Sequence, residues 1–561
     1  MSPHLAPHSP NSSSRDARSN HSRHSQEVRV IRLDVGQYDE DQSRPKLVLH
    51  AHSFLDLDVK PSIGIPHKKS SFVSWDGPND PENPKNWSNR YKWWVTTLII
   101  LTSVNVTFAS SAAAMTVEAL SEQFRVPLEV SYLVTTMYLL GYVFGPFIWG
   151  PGSEITGRFP IFVIAGILFT VSHLGQTFAK NIQTLLVTRF LAGFFAAAPL
   201  TNSGGAISDM FDSEQRGIAA SLFAAGVFLG PALGPVVSGY ILESGESWRW
   251  VFWVMMIFAG ACTIVAIVFI PETYAPILLL RKAKRLRKAD PTGNANIYSE
   301  YEKQDWSFYA ILKRTLFRPF HMFAVEPILV LVTMYISVVF GLLYALFEAI
   351  PVIFVFHRGF TVGQGGLIFI GVGVGTTFGA LLNAIFSKKY RVLNKKWKGY
   401  PPPEERLTGA MVGGVMLVIA TFWLGWTGQY TVIPWYVPAL STIPLGAGIS
   451  MIFMSFLSYL VDTYLEYSAS AFAVNTIIRS AAAAAFPLFT VQMFTKLHIN
   501  WAATLIGLVA LLFVPSPFLF YKYGAKIRRN SHFAPCIDLQ IAVQLEAEEH
   551  AAKLQYKVVK V

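Results

Sequence analysis

Cysteine and charged residues are both scarce in this sequence. Its 561 residues include 2 cysteines, Cys262 and Cys536, so a framework of several disulfides is excluded. Only 14% of the residues are charged, against roughly a quarter in soluble domains, while 52% are hydrophobic. This composition excludes an ordinary soluble domain and indicates a membrane protein. The chain also lacks a Gly-x-x-x-x-Gly-Lys-Ser/Thr loop, so no nucleotide or other cofactor is predicted.

The net charge of +11 raises the question of a nucleic-acid partner. The basic residues cluster between apolar segments rather than in a soluble module, so we assign them to loops and expect no nucleic acid. The first 90 residues are rich in Ser, His, Pro, Arg and Asp and are predicted to be a disordered tail. Its histidines lack the spacing of metal ligands, so no metal site is predicted: they are His4, His8, His21 and His24.

Apolar segments long enough to cross a bilayer recur along the whole chain. Six are predicted at about 93–115, 130–150, 160–179, 183–208, 216–242 and 249–271, and six more at 323–347, 363–387, 408–428, 432–460, 469–493 and 501–523. A polar, basic stretch separates the two sets, which suggests two repeated halves. The sequence therefore predicts an all-α membrane protein with twelve transmembrane helices in two six-helix bundles.

The distribution of basic residues predicts domain boundaries and orientation. The central loop, the loop after segment eight and the region after segment twelve are rich in Lys and Arg, whereas the other loops hold isolated cations. Because basic loops stay in the cytoplasm, both termini are predicted to be cytoplasmic. The predicted parts are a tail (1–90), a first bundle (91–272), a central loop (273–322), a second bundle (323–524) and a C-terminal tail (525–561).

The most unusual apolar run is Gly226-Val-Phe-Leu-Gly230-Pro231-Ala-Leu-Gly234-Pro235. Glycines at four-residue spacing leave one edge of a helix bare, so that another backbone can approach closely. The prolines remove amide donors and weaken the neighbouring turns. One interpretation is a packing face. The run also resembles the antiporter motif Gly-x-x-x-Gly-Pro-x-x-Gly-Gly of the major facilitator superfamily, with Pro235 at the last glycine, and this resemblance implies export.

A second motif follows segment two, in the stretch Gly150-Pro-Gly-Ser-Glu154-Ile-Thr-Gly157-Arg158. It resembles the superfamily loop Gly-x-x-x-Asp-Arg-x-Gly-Arg-Lys/Arg. Gly150, Gly157 and Arg158 match this pattern, and Glu154 stands in place of the aspartate. Two basic residues of the pattern are missing, so no role is predicted for their charges.

The loop motif suggests a gate. We expect Arg158 to pair with Asp209 at the cytoplasmic end of segment four. Glu154 is expected to lie against the start of segment eleven, near Ser468 to Ser470, where helix amides favour an anion. Such contacts would lock the cytoplasmic ends of the two halves together. The alternative is a turn that only determines topology.

Polar side chains inside apolar segments usually face a cavity or a partner. The superfamily resemblance implies proton coupling for Arg189 in segment four, unless this side chain only snorkels to the outer surface. Glu348 is the only acid well inside segment seven, so it is a candidate proton carrier or counter-charge for a cation, unless it lies at the outer rim. Asn475 and Arg479 share one face of segment eleven by their four-residue spacing. Asn105 in segment one is a weaker candidate.

Aromatic side chains in segments two and seven could line an apolar cavity or could simply pack between helices: Tyr138, Tyr142, Phe144, Tyr344 and Phe347. Over about residues 75–530 the chain most resembles the fungal drug:proton antiporters with twelve spans. Three further stretches support this: Trp75 to Ser88, Ser247 to Trp253, and Pro271-Glu-Thr-Tyr-Ala-Pro276.

The resemblance implies a monomeric plasma-membrane transporter. It would export small hydrophobic or cationic molecules, such as drugs, fungicides, toxins or other secondary metabolites, by proton-coupled alternating access. An importer, a polyamine carrier or another narrow-specificity carrier, and a sensor that no longer transports are the alternatives. We expect no enzyme, because the histidines of the membrane segments, His173 and His498, are unpaired in the sequence.

Overall fold

The structure, a computed structural model, describes residues 72–292, 297–303 and 307–559. Apart from an isolated bridge between Phe72 and Tyr298, the regular structure of these residues is helical. The predicted all-α class is therefore confirmed. The histidines of the predicted tail, His4, His8, His21 and His24, lie outside the described residues.

Six long apolar helices form the first half of the chain. They are α1 (Asn89–Ala112), α2 (Leu128–Thr156), α3 (Arg158–Thr177), α4 (Ile182–Met210), α5 (Ser213–Glu243) and α6 (Arg249–Phe269). A short helix, Val117–Phe124, joins α1 to α2. After α6 the chain forms a basic helix, Ala275–Ala289, and a short helix, Arg318–Val325, leads into the second half.

The second half again contains six apolar helices. They are α7 (Pro327–Ile350), α8 (Val362–Lys396), α9 (Thr408–Gln429), α10 (Tyr436–Tyr464), α11 (Ser468–Lys496) and α12 (His498–Phe513), which continues past Val514 as the helix Pro515–Arg528. The last helix of the described residues is Ile537–Val559. We call the end of the bundle where α2, α4 and α6 finish the basic end, because the helix Ala275–Ala289 lies there.

Two of the predicted helix ends differ from the observed ends at prolines. Segment seven is predicted from residue 323, but α7 begins at Pro327. Glu326 precedes this proline and is extended (φ −105°, ψ 98°), as expected for a residue whose helical conformation the proline ring obstructs. Segment two is predicted to end at residue 150, but α2 continues across Pro151 to Thr156. A proline inside a membrane helix is tolerated where neighbouring helices pack against it.

The helices have the length and composition of membrane spans. In the described residues eleven helical stretches are long and apolar enough to cross a membrane, and one of them, Tyr436–Lys496, contains both α10 and α11. Large apolar side chains also cover the outside of the bundle, among them Ile264 (63% exposed) and Leu512 (78% exposed). An exposed apolar surface of this extent is stable in lipid rather than in water. The chain is a multi-pass membrane protein.

The two halves contact each other along two pairs of helices, α5 with α8 and α2 with α11. In the first pair the backbones almost touch. A Cβ added at Gly366 of α8 would lie 2.5 Å from the carbonyl oxygen of Pro235 in α5. In the second pair the hydroxyl of Thr136 in α2 donates a hydrogen bond to the carbonyl of Ala484 in α11 (3.0 Å).

Within the first half, the glycine run of α5 packs against α1. A Cβ added at Gly230 would lie 2.6 Å from the carbonyl oxygen of Val104 and 2.8 Å from the amide nitrogen of Phe108. One added at Gly234 would lie 2.7 Å from the amide nitrogen of Ala112, and at Gly226 the methyl group of Ile100 stands in the way at 2.5 Å. The expected bare edge of the helix is therefore filled by another backbone.

Gly230→Ala is expected to destabilise the protein because its Cβ would meet backbone atoms that cannot move aside. Overpacking of this kind costs about 1–3 kcal/mol, so the unfolding temperature of the detergent-solubilised protein should fall. Gly217→Ala is the matched control on the same helix, where an added Cβ meets nothing within 4 Å. An equal effect of the two substitutions would contradict close packing at Gly230.

The segment before α1 is held against the helix Ala275–Ala289. Lys282 of that helix lies 2.8 Å from a carboxylate oxygen of Asp76 and 2.9 Å from one of Asp80. Asp80 also accepts hydrogen bonds from the backbone amides of Asp76 and Glu82, each 2.9 Å long. These amides, the Asp76 amide foremost, and the Lys282 ammonium lower the pKa of Asp80 from 3.8 to about 2.

We expect this attachment to weaken in acid. Because the pKa of Asp80 is lower in the folded state, its ionised form stabilises the attachment above pH 3.8, and this contribution is lost as the pH falls toward about 2. At neutral pH, Asp80→Asn should release the segment and speed hydrogen exchange of the amides around residues 76–82. Asp76→Asn, at a side chain that is 81% exposed, should have a smaller effect. Unchanged exchange in Asp80→Asn would contradict this role.

Candidate functional site

Arg189 is fully buried in α4 and does not reach the surface of the bundle. Its Nε donates a hydrogen bond to the carbonyl of Val134 in α2 (3.0 Å), and its Nη1 donates one to the carbonyl of Ala109 in α1 (3.0 Å). The guanidinium carbon lies 4.4 Å from the ring centre of Tyr138. Its Nη2 has no hydrogen-bond partner among the described residues. Arg189 thus joins three helices of the first half from inside.

Arg479 of α11 occupies a comparable position in the second half, but its contacts are different. Its guanidinium lies between two rings, 4.8 Å from the centre of Phe340 in α7 and 4.7 Å from that of Phe453 in α10. Among the residues that the structure describes, none accepts a hydrogen bond from its Nε, which is enclosed, although the side chain as a whole is partly exposed. Cation–π contact with two rings stabilises the charge, but it leaves the N–H donors available.

Tyrosines connect these two arginines. The hydroxyls of Tyr138 and Tyr142 both donate to the carbonyl of Val106 in α1, at 2.7 and 3.2 Å. Tyr344 of α7 donates to the hydroxyl of Ser110 in α1 (3.0 Å), across the boundary between the halves. The Arg189 guanidinium lies over the ring of Tyr138, and Tyr344 packs on Phe340, a ring that contacts Arg479. The aromatic core, as we call it, consists of Tyr138, Tyr142, Phe340, Tyr344, Phe347 and Phe453.

Glu348 lies in the last turn of α7 and is only 4% exposed. With Phe340 and Tyr344 it occupies successive turns on one face of the helix, because the three are four residues apart. Its Oε1 accepts no hydrogen bond from any described residue. Glu348 is therefore close to the end of α7 that lies away from the basic end, and it is buried there.

Among the described residues, the predicted amide side chains form no hydrogen bond with Arg189 or Arg479. Asn475 donates a hydrogen bond to the hydroxyl of Thr333 in α7 (3.2 Å), so it joins two helices of the second half. Asn105 lines a small cavity inside the first half, together with Phe162, Phe169 and Cys262. The side-chain oxygens of the two asparagines have no partner within the described part of the chain.

Phe144 does not belong to the aromatic core. It is 51% exposed on the outside of the bundle, where its ring contacts that of Phe190 at 6.0 Å. Tyr142, two residues earlier, points inward instead, because residues two apart lie on nearly opposite sides of a helix.

The predicted ion pair of the loop motif forms at the basic end. Arg158 at the start of α3 lies 3.5 Å from Asp209 near the end of α4, and both are partly buried. Its Nη1 donates to the hydroxyl of Ser153 (2.6 Å), and its guanidinium lies over the ring of Tyr274 at 4.9 Å. The ion pair is long, so the surrounding contacts contribute to holding Arg158 in place. Gly150, at the other end of the motif, has open space around it.

Glu272 is the residue of this cluster to which the sequence assigned no role. Its carboxylate is 3% exposed and accepts hydrogen bonds from the backbone amides of Arg158 (2.9 Å), Thr273 (3.0 Å) and Tyr274 (2.9 Å). It thus binds the N-terminus of α3, where free amides favour an anion. Gly157 makes room for it, since it has φ 101° and an added Cβ would lie 2.8 Å from the carboxylate carbon. The sequence feature that could have pointed to Glu272 is the stretch Pro271-Glu-Thr, which resembles the fungal antiporters.

Glu154 is exposed and does not form the predicted contact with α11. The hydroxyl of Ser470, near the start of that helix, instead accepts a hydrogen bond from Arg318 (2.7 Å). Glu154 interacts electrostatically with this arginine. Arg318, from the chain that precedes α7, therefore contacts the start of α11 where Glu154 was expected. The sequence could not show it, because α11 is 150 residues further along the chain.

A second cluster at the basic end repeats the first one in the other half. Arg406, before α9, lies 2.8 Å from Asp462 of α10 and 3.5 Å from the ring centre of Tyr390 in α8. The hydroxyl of Tyr390 donates to the same carboxylate (2.6 Å). Each half therefore contains a cluster of an arginine between two helices, an aspartate on the next helix and a tyrosine ring.

Comparisons with known proteins agree with this geometry. A model of the Major Facilitator Superfamily matches residues 98–487. The citrinin biosynthesis cluster MFS transporter mrr1 of Monascus ruber is 41% identical over 465 residues, which are 83% of this chain and 92% of that protein. The MFS-type efflux pump MFS2 of Trichophyton rubrum is 41% identical over 512 residues (89% and 85%).

A further relative is the major facilitator superfamily multidrug transporter mdrA of Aspergillus fumigatus, 39% identical over 503 residues (88% of this chain, 82% of that one). Among solved structures, the partially occluded inward-open xylose transporter XylE from E. coli superposes with a TM-score of 0.56 at 20% identity. It covers 77% of this chain and 99% of its own. At this identity the likeness shows the fold alone.

Glu272→Gln is expected to weaken the cluster around Arg158. The amide would place N–H donors against backbone N–H groups, so that at least one buried hydrogen bond is lost at a cost of about 1–3 kcal/mol. The unfolding temperature should fall. Glu154→Gln, an exposed carboxylate of the same turn, should leave it unchanged. If both variants unfold at the wild-type temperature, Glu272 does not stabilise the start of α3.

Proposed function

This chain belongs to the major facilitator superfamily, and we propose that it exports small, largely apolar molecules across the plasma membrane by proton-coupled alternating access. The superfamily assignment confirms the resemblance found in the sequence: the chain is a membrane transporter, not an enzyme. The direction, the driving ion, the plasma membrane and the cytoplasmic position of both termini are parts of the proposal.

Export is supported by the relatives. Two of them are named as an efflux pump and a multidrug transporter, and a third as a transporter of a biosynthesis cluster. The run from Gly226 to Pro235 supports the same direction by its resemblance to the antiporter motif. Its glycines pack α5 against α1, while the carbonyl of Pro235 faces α8 of the other half. A change in this packing would be passed directly to the contact between the halves.

Alternating access requires two bodies that move against each other around a site between them. We propose that the bundles 91–272 and 323–524 are these bodies, with the central loop 273–322 and the tails 1–90 and 525–561 outside the membrane. The two bundles would move against each other at the contacts of α5 with α8 and of α2 with α11.

The gate of this proposal lies at the basic end. Arg158, Asp209 and Glu272 hold the ends of α3 and α4 and the chain after α6 together, and Gly157 makes room for the Glu272 carboxylate. Arg406 and Asp462 form the repeated cluster in the second half. Gly150 and Glu154 belong to the same turn and complete the motif. Opening would break contacts of this set.

Glu348 carries the proposal of proton coupling. It is a buried carboxyl group in the last turn of α7, and one of its oxygens has no partner in the described residues. An ionised carboxylate is costly in such a place, so the group is expected to bind a proton while enclosed and to release it when opened to water. Arg189 is the second candidate, through its contacts with α1 and α2.

The test is efflux of a panel of fluorescent and cytotoxic compounds from cells that express the full chain, with and without an uncoupler. We expect efflux that an uncoupler abolishes and that Glu348→Gln reduces at least tenfold for some or all compounds. Glu300→Gln, at an exposed carboxylate outside the bundle, is the matched control and should transport normally.

Other outcomes would contradict separate parts of the proposal. Efflux that the uncoupler does not reduce would exclude proton coupling. Uncoupler-sensitive efflux that persists in Glu348→Gln would assign the coupling to Arg189 or another group. Net accumulation in the cells would show an importer. Binding of a compound to the purified chain without flux in either direction would show a sensor.

A further inference from the structure

The buried charges around the aromatic core do not balance. Arg189 lies over Tyr138 of the core, Arg479 lies between Phe340 and Phe453, and Glu348 lies one turn beyond Tyr344 on α7. Within the described residues, no carboxylate forms an ion pair with either guanidinium. Arginine stays protonated in proteins. The core therefore keeps at least one excess positive charge if Glu348 is ionised, and two if it is protonated.

We propose that the site between the halves takes small organic anions with an aromatic body, and that Arg479 binds their negative group. The inference rests on the proposed transport function and names the substrate class of the same site. It replaces the cationic molecules of the sequence-based prediction, because a cation would enter a region that already has excess positive charge. An anion would neutralise it.

Arg479 is the better anion ligand because its donors are free. Arg189 is fully buried and already donates from Nε and Nη1 to two backbone carbonyls. Arg479 is partly exposed, and it donates no hydrogen bond to a described residue. A guanidinium has five N–H donors in a planar fork that matches a carboxylate in two hydrogen bonds.

An arginine with a purely structural role would donate hydrogen bonds to acceptors of the protein itself. Arg358, outside the core, shows what such a role is like in this chain: its guanidinium donates to the carbonyls of Thr427, Tyr430 and Ile433 at 2.8–2.9 Å. Arg479 has only the faces of Phe340 and Phe453. Buried donors without acceptors are costly, more so inside a membrane. A ligand that supplies the acceptors would remove this cost.

The neighbouring rings indicate the body of the ligand. Phe340 and Phe453 enclose the guanidinium, and Tyr344 packs on Phe340 at 5.2 Å. Phe228 of the first half contacts Phe453 at 5.1 Å, so rings from both halves meet beside Arg479. Binding pockets of this kind combine apolar and aromatic walls with a few polar groups that orient the ligand. An aromatic acid satisfies both features.

The experiment compares three probes with one body and different charge: 2-naphthoate, 2-naphthamide and (2-naphthyl)trimethylammonium. Binding to the purified full-length chain is followed by the rise of its unfolding temperature with probe concentration. Efflux of the same radiolabelled probes is followed from expressing cells. We expect 2-naphthoate to bind and to be exported at least tenfold better than 2-naphthamide, and the ammonium compound to be the poorest.

Substitution of Arg479 tests its role directly. Arg479→Gln should raise the half-saturating concentration of 2-naphthoate at least tenfold and leave that of 2-naphthamide unchanged. Arg479→Lys keeps the charge but loses the planar fork, so it should bind 2-naphthoate at an intermediate level, and it also serves if the Gln variant does not fold. Arg529→Gln, which removes an exposed arginine after α12, is the control and should behave as wild type.

The outcomes separate this inference from the proposed function. Uncoupler-sensitive efflux of the compound panel, with no preference for 2-naphthoate or no effect of Arg479→Gln on it, would overturn the inference and leave the function standing. Arg479-dependent binding of 2-naphthoate without transport of any compound would support the inference and overturn the function. Better handling of the ammonium probe would overturn the inference outright.

Discussion

Close approach of helix backbones at glycines holds the helices of the bundle together. The bilayer offers no hydrogen-bond partners and little hydrophobic drive between helices, so their association relies on tight van der Waals contact. Gly230 lets α5 approach α1, Gly193 lets α4 approach α2, and Gly366 lets α8 approach α5. The first two contacts build one half, and the third joins the halves. Polar side chains can be enclosed only because these contacts exclude lipid.

The two arginines beside the aromatic core show two ways of keeping a charge inside the bundle. Arg189 is satisfied mainly by backbone carbonyls of α1 and α2, so its charge also ties three helices together. Arg479 relies on two aromatic faces and keeps its donors free. The first arrangement is self-contained. The second is complete only when something else supplies acceptors, which is why the substrate inference rests on Arg479.

The basic end is organised differently, because water and charged partners are available there. Each half has an arginine between helices, an aspartate on a following helix and a tyrosine ring, in the clusters of Arg158 and of Arg406. The partial exposure of both ion pairs suits contacts that must break and re-form. In the proposed transport cycle, the excess positive charge of the core thus serves substrate binding, whereas the ion pairs of the basic end serve gating.

Composition and spacing along the chain were enough to predict the number and order of the membrane helices, the glycine edge of α5 and the presence of Arg189, Glu348 and Arg479 inside apolar segments. These features depend on patterns within about 20 residues, which is the length of one span. The Arg158–Asp209 pair was also predicted, because Arg158 lies in the turn that resembles the superfamily loop and Asp209 lies where segment four ends, at the same end of the bundle.

The direction in which each polar residue faces follows from the packing of the helices and not from the sequence pattern. Asn105 lines a cavity within the first half, Phe144 lies on the outside, and Glu154 is exposed while Arg318 contacts α11. Glu272 holds the start of α3 from 114 residues further along the chain. A helix that is apolar on every side carries no periodic signal for the direction of its neighbours. Contacts between distant segments follow from how the helices pack, and that packing is set by the whole bundle at once.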